Sequence, residues 1–441
     1  MEACYHPAAH FVIEVSHVAA PSIPYGKTEL PLLLPDTASV SVLKPASAPA
    51  AADQAGEVGK ALDEALRTHP VSRRGRAVVV VSDGTRPVPN STILPVLLSR
   101  MEAAGIPRER TTLLVATGLH RLTDESELPA LLGREICQRY KVAVHNAHDR
   151  EMLVNLGRTS RGTAIWINKL YVESEIRVIT GMIEPHQFVG FSGGAKSVSI
   201  GVAGHETIEG NHALLTDPRS QLGVYEGNPA RAEIEEILDR VGADLALNVV
   251  LNNERQISVA LAGTPRAVQR AGVEICARIS QVPVPHQFDI VVASPGGFPK
   301  DLEVYQAQKA VAHAAIAVRE GGTIILVAEC PEGSGNRLFE EWMSAASSPT
   351  DVLTRFTREG FKMGAHKAFL LARSMARARV LLVSDRLPAE LGRRLLFEQH
   401  SSLESALRSA MERHGHDATI AVMPKASSTI PRLAMPERPV Q

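Results

Sequence analysis

A run of β-branched and apolar residues that stops at a glycine-containing polar turn recurs along this chain. Ala77-Val-Val-Val-Val-Ser82 ends in Asp83-Gly84-Thr85-Arg86-Pro87, and Thr111-Thr-Leu-Leu-Val-Ala-Thr-Gly-Leu-His120 repeats the pattern. Ser174-Glu-Ile-Arg-Val-Ile-Thr-Gly181 leads into a third polar turn. Continuous apolar runs of this kind form strands covered on both faces, as in parallel sheets. Strands alternating with helices build a doubly wound α/β sheet, whose ligands bind beyond the carboxyl ends of the strands. Polar clusters a hundred positions apart are therefore expected to share one crevice.

The chain has 441 residues, enough for two or three full cores. Short strands and turns are expected around Pro24-Tyr25-Gly26-Lys27, followed by an Ala/Pro-rich connection at 45–56 and a helix over Glu57 to Thr68. A Pro-containing stretch at 282–286 marks a domain boundary. Beyond it, Asp289-Ile-Val-Val-Ala-Ser-Pro-Gly-Gly297, a helix at 301–319 and strands at 323–329 and 378–384 form a second α/β unit. The fold class read from this pattern is α/β, with two α/β domains, mainly parallel sheets and an active-site cleft between them. Residues 1–280 form the N-terminal domain, 286–425 the C-terminal domain, and the Pro- and Ser-containing tail 426–441 is expected to be disordered.

Charge is balanced, with 47 lysines and arginines against 48 aspartates and glutamates, so no global field draws nucleic acid or an anionic membrane. Aromatics at 4% argue against base-stacking platforms. Cys4, Cys137, Cys276 and Cys330 lack CxxC spacing and read as reduced residues of a cytoplasmic protein. No basic start with an apolar leader and no membrane-length apolar stretch is present in the sequence. The expected partner is a small molecule.

Residues 181–212 hold three histidines, a lysine and seven glycines. Glycine at this density lets backbone N–H groups approach an anion. Gly193-Gly194-Ala195-Lys196-Ser197 is not a P-loop, because Ala195 precedes the lysine and the GxxxxGK[ST] spacing is missing. Lys196 is left as a phosphate counter-charge, a reactive amine or a solvated loop residue. His120, His186 and His212 lie beside Gly, Pro or Asn, where a neutral imidazole serves as metal ligand or as acid/base. Asp83 and Arg86 flank a turn closed by Pro87, with arginine suited to a carboxylate or phosphate. Tyr305, Gln306 and Lys309 fall early in a helix after Gly296-Gly297-Phe-Pro-Lys-Asp301, a helix N-terminus suited to an anion. Gly364-Ala-His366-Lys367 is a less specific candidate.

Taken together, Ser82-Asp83-Gly-Thr-Arg86-Pro87, Thr117-Gly-Leu-His120-Arg, Glu184-Pro-His186 through Gly193-Gly194-x-Lys196, Asn211-His212 and Tyr305-Gln306-x-x-Lys309 resemble the nickel-dependent lactate racemase family. The likeness is collinear over roughly residues 15–425. It implies an isomerase that racemises or epimerises a 2-hydroxy acid through reversible hydride transfer to a nickel-pincer nucleotide, pyridinium-3,5-bisthiocarboxylic acid mononucleotide nickel. By the same resemblance Lys196 is the covalent tether, His212 the protein's nickel ligand, and His120 and His186 the two catalytic acid/bases. Arg86, Lys309 and Tyr305 would contact substrate, while Asp83, Gly193, Gly194 and Gln306 would position the cofactor. Proteins of cofactor biosynthesis are the implied maturation partners. Ser199-Ile200-Gly201 departs from the pattern, a proline being expected before the glycine in many relatives. Two other readings stay open on the residues alone: a mononuclear zinc hydrolase using His120, His186, His212 and Asp83, with an open position for water, and a nucleotide-binding sensor without turnover.

Overall fold

Ala77 through Val81 are each at most 1% exposed, which is possible only for a strand with neighbours on both edges and layers on both faces. A computed structural model describes residues 22–34, 39–69 and 75–434. It resolves the chain into two units, residues 47–279 and a second unit built from residues 1–46 together with 280–441.

In the 47–279 unit a six-stranded sheet runs in the order Ile257–Gly263, Leu245–Leu251, Ile176–Met182, Ala77–Ser82, Thr111–Ala116, Lys141–Val144. All neighbours are parallel except the outermost pair, Leu245–Leu251 with Ile257–Gly263. The chain runs outward from Ala77–Ser82 in one direction through 111–144 and in the other through 176–263. The order therefore reverses between Ala77–Ser82 and Ile176–Met182. One apolar cluster of this unit joins Val79, Val81 and Leu113 of the sheet to Val58 and Leu62 of helix Gln54–Thr68 and to Ile93 and Leu97 of helix Asn90–Ala103. The first of these helices begins three residues before its expected start, because Asp53 caps it by accepting the Gly56 N–H at 2.8 Å.

The second unit carries a parallel six-stranded sheet in the order Glu398–His400, Arg379–Val383, Val318–Val327, Phe288–Ala293, Thr419–Met423, Ser39–Val42. Strands Ser22–Tyr25 and Thr28–Pro31 form a hairpin around Gly26, whose φ of +53° suits glycine. Ile23, Tyr25 and Leu32 pack in one core with Ile290, Ile325 and Val422.

Two expected boundaries change. The described residues before 47, assigned from the sequence to the N-terminal domain, belong with the C-terminal sheet, since Ser39–Val42 pairs with Thr419–Met423. A four-residue strand carries no mark of its partner, so reading along the chain joins it to its nearest neighbour in sequence. The expected disordered tail is ordered as far as it is described: Ile430–Leu433 pairs in parallel with Gln281–Val284, and Thr429 and Ile430 are buried. Residues 435–441 lie outside the described residues. Among the described residues no helix is long and apolar enough to cross a membrane.

Candidate active site

The strand order of the 47–279 unit reverses between Ala77–Ser82 and Ile176–Met182, and doubly wound sheets bind ligands outside the carboxyl ends of the strands at such a reversal. The turn after the first strand holds Asp83 and Arg86. The segment after the second holds Glu184 and His186, and the turn after Thr111–Ala116 holds His120. Lys196 opens the short helix Lys196–Ser199, and His212 lies near the end of helix His205–Ala213.

Asp83 is 4% exposed, and its Oδ2 lies 2.8 Å from His120 Nδ1 while Oδ1 accepts from the Thr85 hydroxyl at 2.6 Å. Burial pushes the Asp83 carboxyl up. The hydrogen bonds from His120 and Thr85 and the charges of His120 and Arg86 outweigh it, leaving the group below the usual carboxylate range. An ionised acceptor assigns the imidazole proton of His120 to Nδ1, which leaves the Nε2 lone pair to take a proton. His186 has the opposite arrangement: its Nδ1 accepts the Val189 N–H at 3.5 Å, so its neutral ring carries hydrogen on Nε2. Arg86 and Glu184 approach to 3.8 Å, both about one-third exposed.

Desolvation lowers the Lys196 ammonium to about 7, helped by the charges of Arg86 and Arg231 against those of Glu184 and Asp83. Burial first, then Lys196, His120 and Arg86, lowers His212 to about 3, so its imidazole is neutral at ordinary pH. These mutual effects place His120, Arg86, Lys196 and His212 in one electrostatic neighbourhood. Phe188 meets both the His186 and the His212 rings edge to face, with centroids 4.9 and 5.0 Å away.

Gly193 and Gly194 do not lie open as an anion cradle. They have φ of +83° and +55°, and a Cβ would fall 2.7 Å from Asn248 Oδ1 at Gly193 and 2.4 Å from Gln269 Oε1 at Gly194. The loop is gripped by buried polar side chains. Asn248 accepts the Gly194 N–H at 3.0 Å, Gln269 donates to the Ser192 carbonyl at 3.0 Å, and Arg231 donates to the Gly193 carbonyl at 3.2 Å. Arg231 is itself paired with Glu235, whose Oε1 accepts from Nε at 2.8 Å. The sequence reading missed these holders, since Arg231 and Glu235 stand four apart on a helix, the spacing of an ordinary surface pair. Alanine at position 194 is expected to destabilise the unit by at least about 1–2 kcal/mol, from the left-handed backbone alone, in a urea titration.

His145 braces the neighbouring turn. Its Nε2 donates to the Ala203 carbonyl at 2.9 Å and its Nδ1 accepts from Asn168 at 3.0 Å. Burial lowers it to about 4, and burial likewise lowers His313 in the second unit to about 4. A folded-state pKa below the unfolded value near 6.5 means that the unfolded chain binds more protons between pH 4 and 6.5. Stability is therefore full above about pH 6.5 and lost as the pH falls toward 4. Urea midpoints at pH 7.5, 6 and 5 are expected to drop in that order, with a shallower drop in His145→Gln. At the departure noted above, the Ile200 N–H donates to the Lys196 carbonyl at 3.2 Å, a bond that proline lacks.

Tyr305, Gln306 and Lys309 sit on helix Val304–Ala317 of the second unit. The helix N-terminus expected to hold an anion is already occupied: Val304 and Tyr305 N–H groups donate to the Gly333 and Ser334 carbonyls at 3.0 and 3.1 Å. Tyr305 packs edge to face on His366 at 6.5 Å, and Lys367 Nζ lies 5.8 Å from the Tyr305 ring centre. The Gly364–Lys367 motif thus joins the Tyr305 group.

Residues 25–223 match the model of the lactate racemase N-terminal domain, and residues 284–430 match that of the lactate racemase C-terminal domain. The chain belongs to the lactate racemase family. It is 31% identical to the lactate racemase of Thermoanaerobacterium thermosaccharolyticum over 421 residues, covering 93% of this chain and 98% of that protein. The lactate racemase of Lactiplantibacillus plantarum is also 31% identical, over 382 residues, 85% of this chain and 90% of its own. The apoprotein structure of the T. thermosaccharolyticum enzyme superposes with a TM-score of 0.87, covering 94% of this chain and all of that one. A Thermotoga maritima structure at 19% identity and a TM-score of 0.64 shares the fold, covering 86% of this chain and 98% of its own. The zinc-hydrolase alternative loses its basis in the geometry: among the described residues no three His, Cys, Asp or Glu side chains are grouped to hold a metal ion, and Asp83 is engaged with His120.

Proposed function

We propose that this protein is an isomerase that racemises or epimerises a 2-hydroxy acid with a nickel-pincer nucleotide attached through Lys196 and ligated by His212. The observation that carries this reading is the grouping at one sheet reversal of an oriented Asp83–His120 pair, a buried neutral imidazole and an amine lowered to about 7. The donor set fits the cofactor. His212 offers a neutral ring nitrogen that would ligate nickel, and Lys196 is unprotonated in a large share of molecules at neutral pH, as an amine must be to form a covalent bond. When bound, the cofactor supplies a reversible hydride acceptor.

Asp83 fixes His120 so that Nε2 takes the substrate hydroxyl proton as hydride leaves Cα. Hydride removal is favoured over proton removal because the substrate carboxylate already carries negative charge beside Cα, whereas a developing alkoxide drives hydride outward. As hydride returns to the other face of Cα, His186 in its imidazolium form gives a proton to the oxygen, and the two histidines exchange roles when the other enantiomer reacts. Arg86 holds the substrate carboxylate, in the bidentate geometry that guanidinium favours. Gly193 and Gly194 serve the cofactor through the shape of the loop that presents Lys196. Cofactor-biosynthesis proteins are the partners that load the enzyme.

Expression in a host that makes the cofactor, followed by intact-mass analysis, is expected to show an adduct on Lys196 and bound nickel. Chiral chromatography is expected to show racemisation within a panel of short, acidic, aromatic and sugar-derived 2-hydroxy acids. Unmodified, nickel-free protein that racemises none of them overturns the proposal.

A further inference from the structure

Phe188 is 3% exposed and stands two residues after His186. Its ring meets the His186 imidazole at an interplanar angle of 76° and the His212 imidazole at 73°. The backbone around it is fixed on both sides. The Phe188 carbonyl accepts from Asn228 Nδ2 at 2.7 Å, and Asn228 in turn caps helix Pro229–Val241 by accepting the Arg231 N–H at 3.1 Å. The next residue, Val189, donates its N–H to His186. One rigid phenyl ring therefore links an acid/base on the strand Pro185–His186 to a metal ligand on helix His205–Ala213.

We propose that Phe188 is a positioning residue that sets the spacing and tilt of the His186 imidazole relative to His212. The inference rests on the roles assigned to those two histidines. Aromatic rings attract edge to face because the positive rim of one faces the negative face of the other, and this preference fixes the angle as well as the distance. Proton and hydride transfers tolerate little misplacement: an error of about 1 Å costs on the order of 10²-fold in rate. A branched aliphatic side chain at 188 fills part of the volume yet imposes no angle on either imidazole.

The test compares Phe188→Leu and Phe188→Met with Phe188→Tyr, which keeps the ring, and with Phe356→Leu, which truncates a buried phenylalanine in the second unit. In crystal structures of the apoprotein variants, the His186 and His212 imidazoles are expected to leave their wild-type planes together in Leu and Met and to keep them in Tyr, with His145 in place throughout. In the loaded enzyme, kcat is expected to fall about 10- to 10²-fold in Leu and Met with KM within about twofold of wild type, and to recover at least partly in Tyr. Phe356→Leu is expected to melt lower and keep its kcat. Wild-type kcat in a folded Leu or Met variant, or imidazole planes unchanged from wild type, overturns the inference. Should the wild-type protein racemise nothing, the functional reading fails, and the imidazole planes in the apoprotein still decide whether Phe188 fixes the two rings.

Discussion

Glutamine at position 120 is expected to lower kcat by about 10²- to 10⁴-fold, the range that general acid–base catalysis supplies. Glutamine keeps the size of the side chain and has no basic nitrogen to receive the hydroxyl proton. The Asp83 carboxylate, ionised and 4% exposed, would then lose its 2.8 Å partner without relief from solvent. Asp83→Asn is expected to fall less, by roughly 10- to 10²-fold, because it leaves the base in place and removes only the acceptor that keeps hydrogen on Nδ1. The reaction is reversible, so the equilibrium constant ties the two values of kcat/KM together and both must fall by one factor. The kcat values themselves are free to differ between enantiomers. Initial rates from each pure enantiomer check this, and a His120→Gln enzyme within threefold of wild type would remove His120 from the mechanism.

The largest stability effect is expected at Arg231. Methionine there strands the Glu235 carboxylate, which is 6% exposed, and removes the donor to the Gly193 carbonyl. Breaking a buried pair on one side costs about 3–5 kcal/mol. Replacing both partners, in Arg231→Met/Glu235→Leu, is expected to recover most of that loss, since no charge is then left buried alone. The two tryptophans give the measurement, because Trp166 lies in the 47–279 unit and Trp342 in the other. Urea unfolding followed by fluorescence in a Trp342→Phe background reads the unit that carries the mutation. Equal midpoints for the single and double variants would show that the pair is not what braces the loop.

How much of the molecule was legible follows from how local each signal is. Ala77–Ser82, Thr111–Ala116 and Ile176–Met182 were readable because burial on both faces demands unbroken apolar runs, and Asp83, His120 and His186 were readable because they stand where those runs stop. The pairing of Ser39–Val42 with Thr419–Met423 was not, since backbone hydrogen bonds between strands carry no side-chain label. The occupied N-terminus of Val304–Ala317 was hidden for the same reason, as its partners are the carbonyls of Gly333 and Ser334. Asn248, Gln269 and Arg231 look in sequence like ordinary polar residues of a strand and two helices. Only burial shows that they clamp a loop. Phe188 reads as one more apolar residue until its ring is seen against two imidazoles.

By itself, then, the amino-acid order determined the alternation of strand and helix and the family, because periodicity and composition act within a few residues of their cause. The tertiary structure alone decided which strand closes which sheet, that Asp83 serves His120, and that the glycines before Lys196 are packed into place by buried amides and a guanidinium. Those are contacts between segments far apart in the chain, where the energy of burying a polar group is set by the partner it meets.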